Sequence, residues 1–146
     1  MTELGHAKGF RDLLVYQKAS TVAKRIFEIT KGFPKEERYS LTDQIRRSSR
    51  SVGAQIAEAW AKRLYERHFI SKLTDADGEQ QETQHRIDIA TDCGYLTEEL
   101  AGKLNSSLSE IGRMLSSMIQ KADSFCGDTP SVVRESAAEY FTNTGH

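Results

Sequence analysis

Arg46, Arg47 and Arg50 are the side chains whose type and spacing most directly suggest chemistry. At 100° per residue they fall within a sector of ~100° on one helix, away from Ile45, Val52 and Ile56. Guanidinium forks of this kind grip phosphate oxygens in pairs of hydrogen bonds. The same sector continues as Gly53, Ala54, Ala57 and Ala61, all small. A small strip beside an arginine cluster has two physical uses. It lets a nucleic-acid backbone come close while the arginines hold phosphates. Alternatively, it lets another helix pack tightly while the arginines pair with acidic groups across a subunit joint. Lys62, Arg63 and Arg67 add positive charge beyond the end of the helix. The candidate nucleic-acid-binding residues are therefore Arg46, Arg47, Arg50, Lys62 and Arg63.

Other chemistries find less support. A di-metal site in a helical bundle needs a Glu from each of two helices and a Glu-x-x-His from each of two others. Glu82 and His85 form one such pair, and Glu3 and His6 form the other match, in a loose N-terminus. Half the ligands are missing from one chain, so no metal site is expected. Asp75, Asp77 and Gly78 resemble part of a calcium loop. That register, however, puts Leu73 at the first ligand position and Gln84 at the final Glu position, and it fails. No Gly-x-Ser-x-Gly elbow and no glycine-rich phosphate loop occur. Neither catalysis nor a cofactor is expected.

The chain carries 20 Lys and Arg against 21 Asp and Glu over 146 residues, a net charge of −1. That balance excludes a bulk polycation that coats nucleic acid by charge excess. The distribution is uneven. Residues 1–67 hold 14 basic and 8 acidic side chains, a net of +6, whereas residues 68–146 hold 6 and 13, a net of −7. Two helical halves that attract one another, or one half with a basic binding face, would both produce this asymmetry. Cys93 and Cys126 stand alone, which argues against a disulfide framework or a Cys-rich zinc site. No stretch has the apolar length of a signal peptide or membrane span, so a cytoplasmic location is expected.

The elements that must position these groups read as helices throughout. Val15, Ala19, Val22, Ile26 and Ile29 recur at steps of four and three, which predicts a helix from about Asp12 to Lys31. Gly32, Phe33 and Pro34 end it. Ser40 or Thr42 can cap a second helix, whose buried stripe is Leu41, Ile45, Val52, Ile56 and Ala59 and whose end falls near Lys62 or Arg63. A third helix runs from about Tyr65 to Cys93. Its stripe starts at Phe69, Leu73 and Ala76 and resumes at Ile87 and Ala90. Between them Gln80, Thr83 and Gln84 lie near the buried side, where an unpaired amide costs about 1–3 kcal/mol. They must meet polar groups of another subunit or face water.

Gly94 supplies a C-cap, and Thr97 with Glu98 and Glu99 starts a fourth helix. Its stripe is Leu104, Leu108, Ile111, Leu115, Met118, Ala122 and Phe125, a coiled-coil-like seam. Residues 1–126 thus form an all-α, antiparallel four-helix bundle of up-down-up-down topology. Residues 127–146 read as a polar, flexible tail with a weak helical patch from Val132 to Phe141.

Gln44-Ile45-Arg46-Arg47, Ser51-Val52 and Ile56-Ala57-Glu58 form an ordered series of short motifs. It continues as a helix opened by Phe69 that contains Gly78 and Glu82, and then as Gly94-Tyr95-Leu96. With Phe10-Arg11-Asp12-Leu13, Tyr16-Gln17-Lys18-Ala19 and Phe33-Pro34 upstream, the series resembles the 23S rRNA intervening-sequence family of bacterial four-helix-bundle proteins. The resemblance spans roughly Phe10 to Phe125. It implies a protomer that assembles into a ring-like homopentamer. It also implies kinship with the accessory variability determinants of diversity-generating retroelements, which bind nucleic acid and a reverse transcriptase through a basic surface. The family supplies no catalytic residue. This chain has Gln55 where Asn is usual and Ala59 where Gly is usual. Asp77 and Glu79 stand where basic and small residues are common, and Gln80 replaces an aliphatic one. The acidic changes make the third helix less suited to a phosphate backbone.

The expected function is that of a non-enzymatic, oligomeric bundle that binds nucleic acid, structured RNA above all, through the basic face of the second helix. A reverse-transcriptase-type partner is part of that expectation. The alternative is a protein-interaction scaffold whose arginines are committed to subunit contacts.

Overall fold

A computed structural model describes residues 7–126, and the tail expected at 127–146 lies outside the described residues. Four long helices follow one another: α1 (Leu14–Thr30), α2 (Leu41–Ala61), α3 (Glu66–Asp92) and α4 (Glu98–Gln120), with a short α5 (Ala122–Phe125). No strand occurs among the described residues. No helix there is long and apolar enough to cross a membrane. The boundaries lie within two residues of those expected for the first three helices. The seam of the fourth is divided between α4 and α5 by a break at Lys121.

Each helix buries the stripe its periodicity defines, except that Ile29 of α1 is half-buried and Thr30 takes the buried place. Val15, Ala19, Val22 and Ile26 of α1 meet Ile45, Val52 and Ile56 of α2 in one core, with Leu104, Leu108, Ile111 and Leu115 of α4. The helix α1 packs on α2 and α4, α2 packs on α3, and α3 packs on α4, so the four surround a shared interior. At the end of α3 the N–H of Gly94 bonds to the carbonyl of Thr91 and the N–H of Tyr95 to that of Ala90. Gly94 sits at φ 81°, the left-handed geometry this Schellman arrangement requires. Thr97 accepts the N–H of Leu100 at 3.1 Å and caps α4 as its sequence suggests.

The start of α2 departs from the sequence reading. Ser40 occupies the N-cap position but its side chain makes no capping bond to the helix. Its hydroxyl instead donates to Glu37 Oε1 at 2.7 Å, and the same oxygen accepts the N–H of Leu41 at 3.3 Å. The Glu37 carboxylate takes over the capping role from outside the helix, where its charge also suits the helix dipole. Thr42 is buried, and its hydroxyl has no hydrogen-bond partner among the described residues. The hydroxyl of Tyr95 donates to the other Glu37 oxygen at 2.9 Å, and its ring packs against Phe33. One carboxylate thus ties the α1–α2 connection to the α3–α4 connection.

This clasp has a pH signature. The hydrogen bonds from Ser40 and Tyr95 hold the Glu37 carboxyl below the usual carboxylate range. The bond to Glu37 pushes Tyr95 up to about 12. A depressed acid contributes stability above its unfolded pKa and loses it as pH falls through the folded value. A raised phenol contributes below its ordinary 10 and loses that contribution as pH rises through about 12. The gap in melting temperature between the wild type and Tyr95→Phe should therefore be widest near neutrality and narrow at both extremes. Thermal melts across the pH range that showed a constant gap would refute the clasp.

The polar middle of α3 is a second departure. The buried side of α3 runs Phe69, Leu73, Ala76, Gln80, Thr83, Ile87 and Ala90, so the stripe continues through Gln80 and Thr83. Gln80 and Thr83 are buried and Gln84 is half-buried, and all three find hydrogen-bond partners within the chain. Thr83 and Ser48 of α2 share a hydrogen bond of 2.8 Å between their hydroxyls. Gln80 donates to Asp77 at 2.9 Å and accepts from Gln84 at 2.8 Å, and Gln84 reaches Ser109 of α4 at 3.3 Å. Gly112 makes room for this amide network: a Cβ there would lie 2.8 Å from Gln80 Nε2.

Candidate nucleic-acid interface

The five basic residues singled out from the sequence occupy two places. Arg46, Arg47 and Arg50 lie in the first half of α2. Lys62 and Arg63 lie just beyond its C-terminal end, and at 1.5 Å per residue Lys62 is roughly 18 Å along the axis from Arg50. The structure joins each set locally but does not merge them into one cluster.

Arg46 is half-buried and turned onto the end of α1. Its Nε donates to Thr30 Oγ1 at 2.7 Å, and a terminal nitrogen donates to the Phe27 carbonyl at 3.4 Å. The Thr30 hydroxyl is itself within bonding distance of the Ile26 and Phe27 carbonyls. Arg46 therefore places a fixed positive charge at the C-terminal end of α1, where the helix dipole is negative and carbonyls lack helical partners. Arg63 does the same for its own helix. Its Nε donates to the Trp60 carbonyl at 2.8 Å while the guanidinium lies 3.6 Å from the centre of the Trp60 ring. Lys62 is half-buried at the C-cap of α2.

Arg47 and Arg50 are exposed. Arg47 stands 4.0 Å from Asp43, the outer limit of an ion pair between two exposed groups. Such a pair contributes little. Arg50 lies 5.3 Å from the centre of the Phe27 ring. Among the described residues no carboxylate forms an ion pair with Arg46 or Arg50. Of the acidic groups on α2 and α3, Glu58 and Asp75 pair with Lys72, and Glu82 pairs with Arg86. Within one chain, then, the arginines of α2 are not neutralised by α3.

The small strip of α2 forms one wall of an open groove of about 340 Å³. Gly53, Ala54 and Ala57 line it with Ser20 and Ala23 of α1, the rings of Phe10 and Tyr16, and Arg50, and the Tyr16 ring lies against Gly53. Of the candidate metal ligands, His85 is exposed and Glu82 is bonded to Arg86 at 3.1 Å. Glu3 and His6 lie outside the described residues. Among the described residues no three His, Cys, Asp or Glu side chains come together as a group that could hold an ion.

Sequence reasoning passed over Phe27 and Lys31. Phe27 is an aromatic residue one position past the buried stripe of α1, and that misfit is the signal that could have drawn attention to it.

The chain matches the pattern of the 23S rRNA-intervening sequence protein family over residues 11–117. It is also similar to a solved protein of unknown function from the S23 ribosomal protein family of Bacteroides thetaiotaomicron. The two share 31% identity at a TM-score of 0.67, with 73% of this chain and 96% of that one covered. No curated protein matches the chain. The family pattern takes in α1, α2, α3 and most of α4, and with it all five candidate basic residues. On that evidence the chain belongs to the 23S rRNA-intervening sequence protein family.

Proposed function

We propose that this protein is a non-enzymatic, homo-oligomeric bundle of up-down-up-down topology that binds nucleic acid, structured RNA first of all, through the α1–α2 face. The observation that carries the reading is the exposed arginine pair on α2. Arg50 has no ion pair among the described residues, and Arg47 has only a marginal one. Exposed guanidinium groups without internal counter-charges suit phosphate oxygens, which accept the same forked hydrogen bonds as carboxylates. The family's name links its members to intervening sequences of 23S rRNA, which supports RNA as the polyanion. The small-lined groove beside Arg50 supports close approach of a backbone or of another subunit. A homopentamer and a reverse-transcriptase-type partner belong to the same reading, on the resemblance described above.

Arg47→Glu/Arg50→Glu tests the proposal better than a change that includes Arg46, because Arg46 holds the end of α1. The variant should keep the oligomeric mass of the wild type by light scattering. It should bind RNA of unrelated sequences more weakly by a similar factor. Its log–log salt dependence should flatten by about 0.7–0.9 per lost phosphate contact. Unchanged RNA affinity would remove this face from the site. Dissociation of the variant to a species near 16.4 kDa would instead establish the scaffold reading, in which the arginines bridge subunits.

A further inference from the structure

Phe27 is half-buried, yet it packs in neither the core nor its apolar margin. What surrounds it is positive charge. The Arg46 guanidinium lies 4.6 Å from the ring centre, that of Arg50 lies 5.3 Å from it, and the Lys31 ammonium lies 5.0 Å from it. Three cations within 6 Å of one ring form a set of cation–π contacts. Only Lys31 has a carboxylate partner among the described residues, Glu28 at 3.2 Å. Arg46 is held in place by Thr30 and by the Phe27 carbonyl, so the arrangement is anchored to the end of α1.

An aromatic ring beside two arginines that form no ion pair among the described residues suits a ligand that carries both an anion and a flat π surface. A nucleotide is such a ligand. In a duplex the base faces are stacked on one another, so an aromatic residue in the interface would gain nothing from them. In a single strand or loop the bases are free to stack on aromatic rings or on guanidinium planes. Arg50 is exposed and lies over Phe27, so it offers a base its guanidinium plane with the aromatic ring behind it. Arg47 is exposed nearby on the same helix, and Arg50 also lines the open groove between α1 and α2, where a phosphate backbone could run.

The geometry points to Phe27, with Arg50 and Lys31, as a stacking site for an unpaired nucleotide, so that the protein selects single-stranded or looped RNA over duplex. This inference rests on the nucleic-acid reading above and specifies its substrate class.

The test uses the full chain and three probes at one salt concentration: a single-stranded polyuridine oligonucleotide, an abasic strand with the same number of phosphates, and a duplex of equal length. Stacking is worth about 1–3 kcal/mol per base, which corresponds to about 5- to 150-fold in affinity. The wild type should prefer the base-bearing strand to the abasic strand by a factor in that range, and to the duplex as well. Phe27→Leu should bring the ratio of base-bearing to abasic affinity close to one, by a fall in binding of the base-bearing strand that exceeds any fall for the abasic strand. Phe27→Trp should keep the ratio, which shows that the leucine variant fails for want of a π face and not for want of a fold. A wild-type ratio of one with the abasic strand still bound, or tighter duplex binding, overturns the stacking site and leaves the phosphate face standing. An equal fall in abasic binding in Phe27→Leu also overturns it, since Phe27 would then act only by placing the arginines. Failure of all three probes to bind wild type overturns the nucleic-acid reading itself.

Discussion

Replacing Phe69 with alanine should lower the free energy of unfolding by about 3–5 kcal/mol, the range for truncating a fully buried aromatic side chain. Phe69 is 0% exposed and stands in the first turns of α3. Its ring stacks on Phe125 with centroids 5.7 Å apart, and Phe125 belongs to the four-residue helix α5. A helix of that length has no stability of its own, because nucleation of a single turn is unfavourable. Its order depends on what Phe125 and Ala122 bury. The substitution would leave a cavity at the start of α3 and remove the docking surface of α5 together. Single domains are stable by roughly 5–15 kcal/mol, so this one change should take a large share. The midpoint of urea unfolding reads the global loss, and amide exchange over residues 122–126 reads the local one. A loss below about 1 kcal/mol would show that the ring is not the keystone of that end of the core.

Replacing Thr83 with valine, which keeps the shape and removes the hydroxyl, should destabilise the fold by about 1–3 kcal/mol, the cost of a buried polar group left unpaired. The stranded group is Ser48 on α2, whose other contact, to the Ile45 carbonyl, is long at 3.4 Å. The reverse truncation, Ser48→Ala, should cost less, because Thr83 keeps its bond to the Glu79 carbonyl at 2.9 Å. The double variant Ser48→Ala/Thr83→Val removes both partners and should lose less than the two single changes added together. Strict additivity of the three unfolding free energies would show that the hydroxyls do not interact.

The middle of α3 therefore has a structural account that its sequence only half discloses. Ala76, Gln80, Thr83 and Ile87 keep the helical spacing of a buried stripe, and that much is local information. The partners are not. Ser48 is 35 residues from Thr83, and Ser109 is 25 from Gln84. A polar residue at a core position is legible; the group that satisfies it is not, since side-chain hydrogen bonding between helices follows their packing and not their period. The clasp of Glu37 and Tyr95 spans 58 residues and was hidden for the same reason.

The set of helices and most of their buried faces follow from the order of residues alone. Apolar side chains must leave water, and a 3.6-residue period decides which of them can do so together. The stop at Gly94 and the start at Thr97 are equally local, because each of these two caps is made within a turn of the helix end it serves. The clustering of Arg46, Arg47 and Arg50 on one sector followed from the same period. Tertiary structure decided what that sector meets. The packing of α1 on α2 puts the C-terminal end of α1 beside Arg46, so one arginine becomes a helix cap while Arg47 and Arg50 stay exposed. The same packing gathers Lys31, Arg46 and Arg50 around Phe27, although 15 residues separate Lys31 from Arg46 in the chain. Helical periodicity assigns each side chain a direction, but only the approach of a second helix determines which charge, ring or carbonyl stands in that direction.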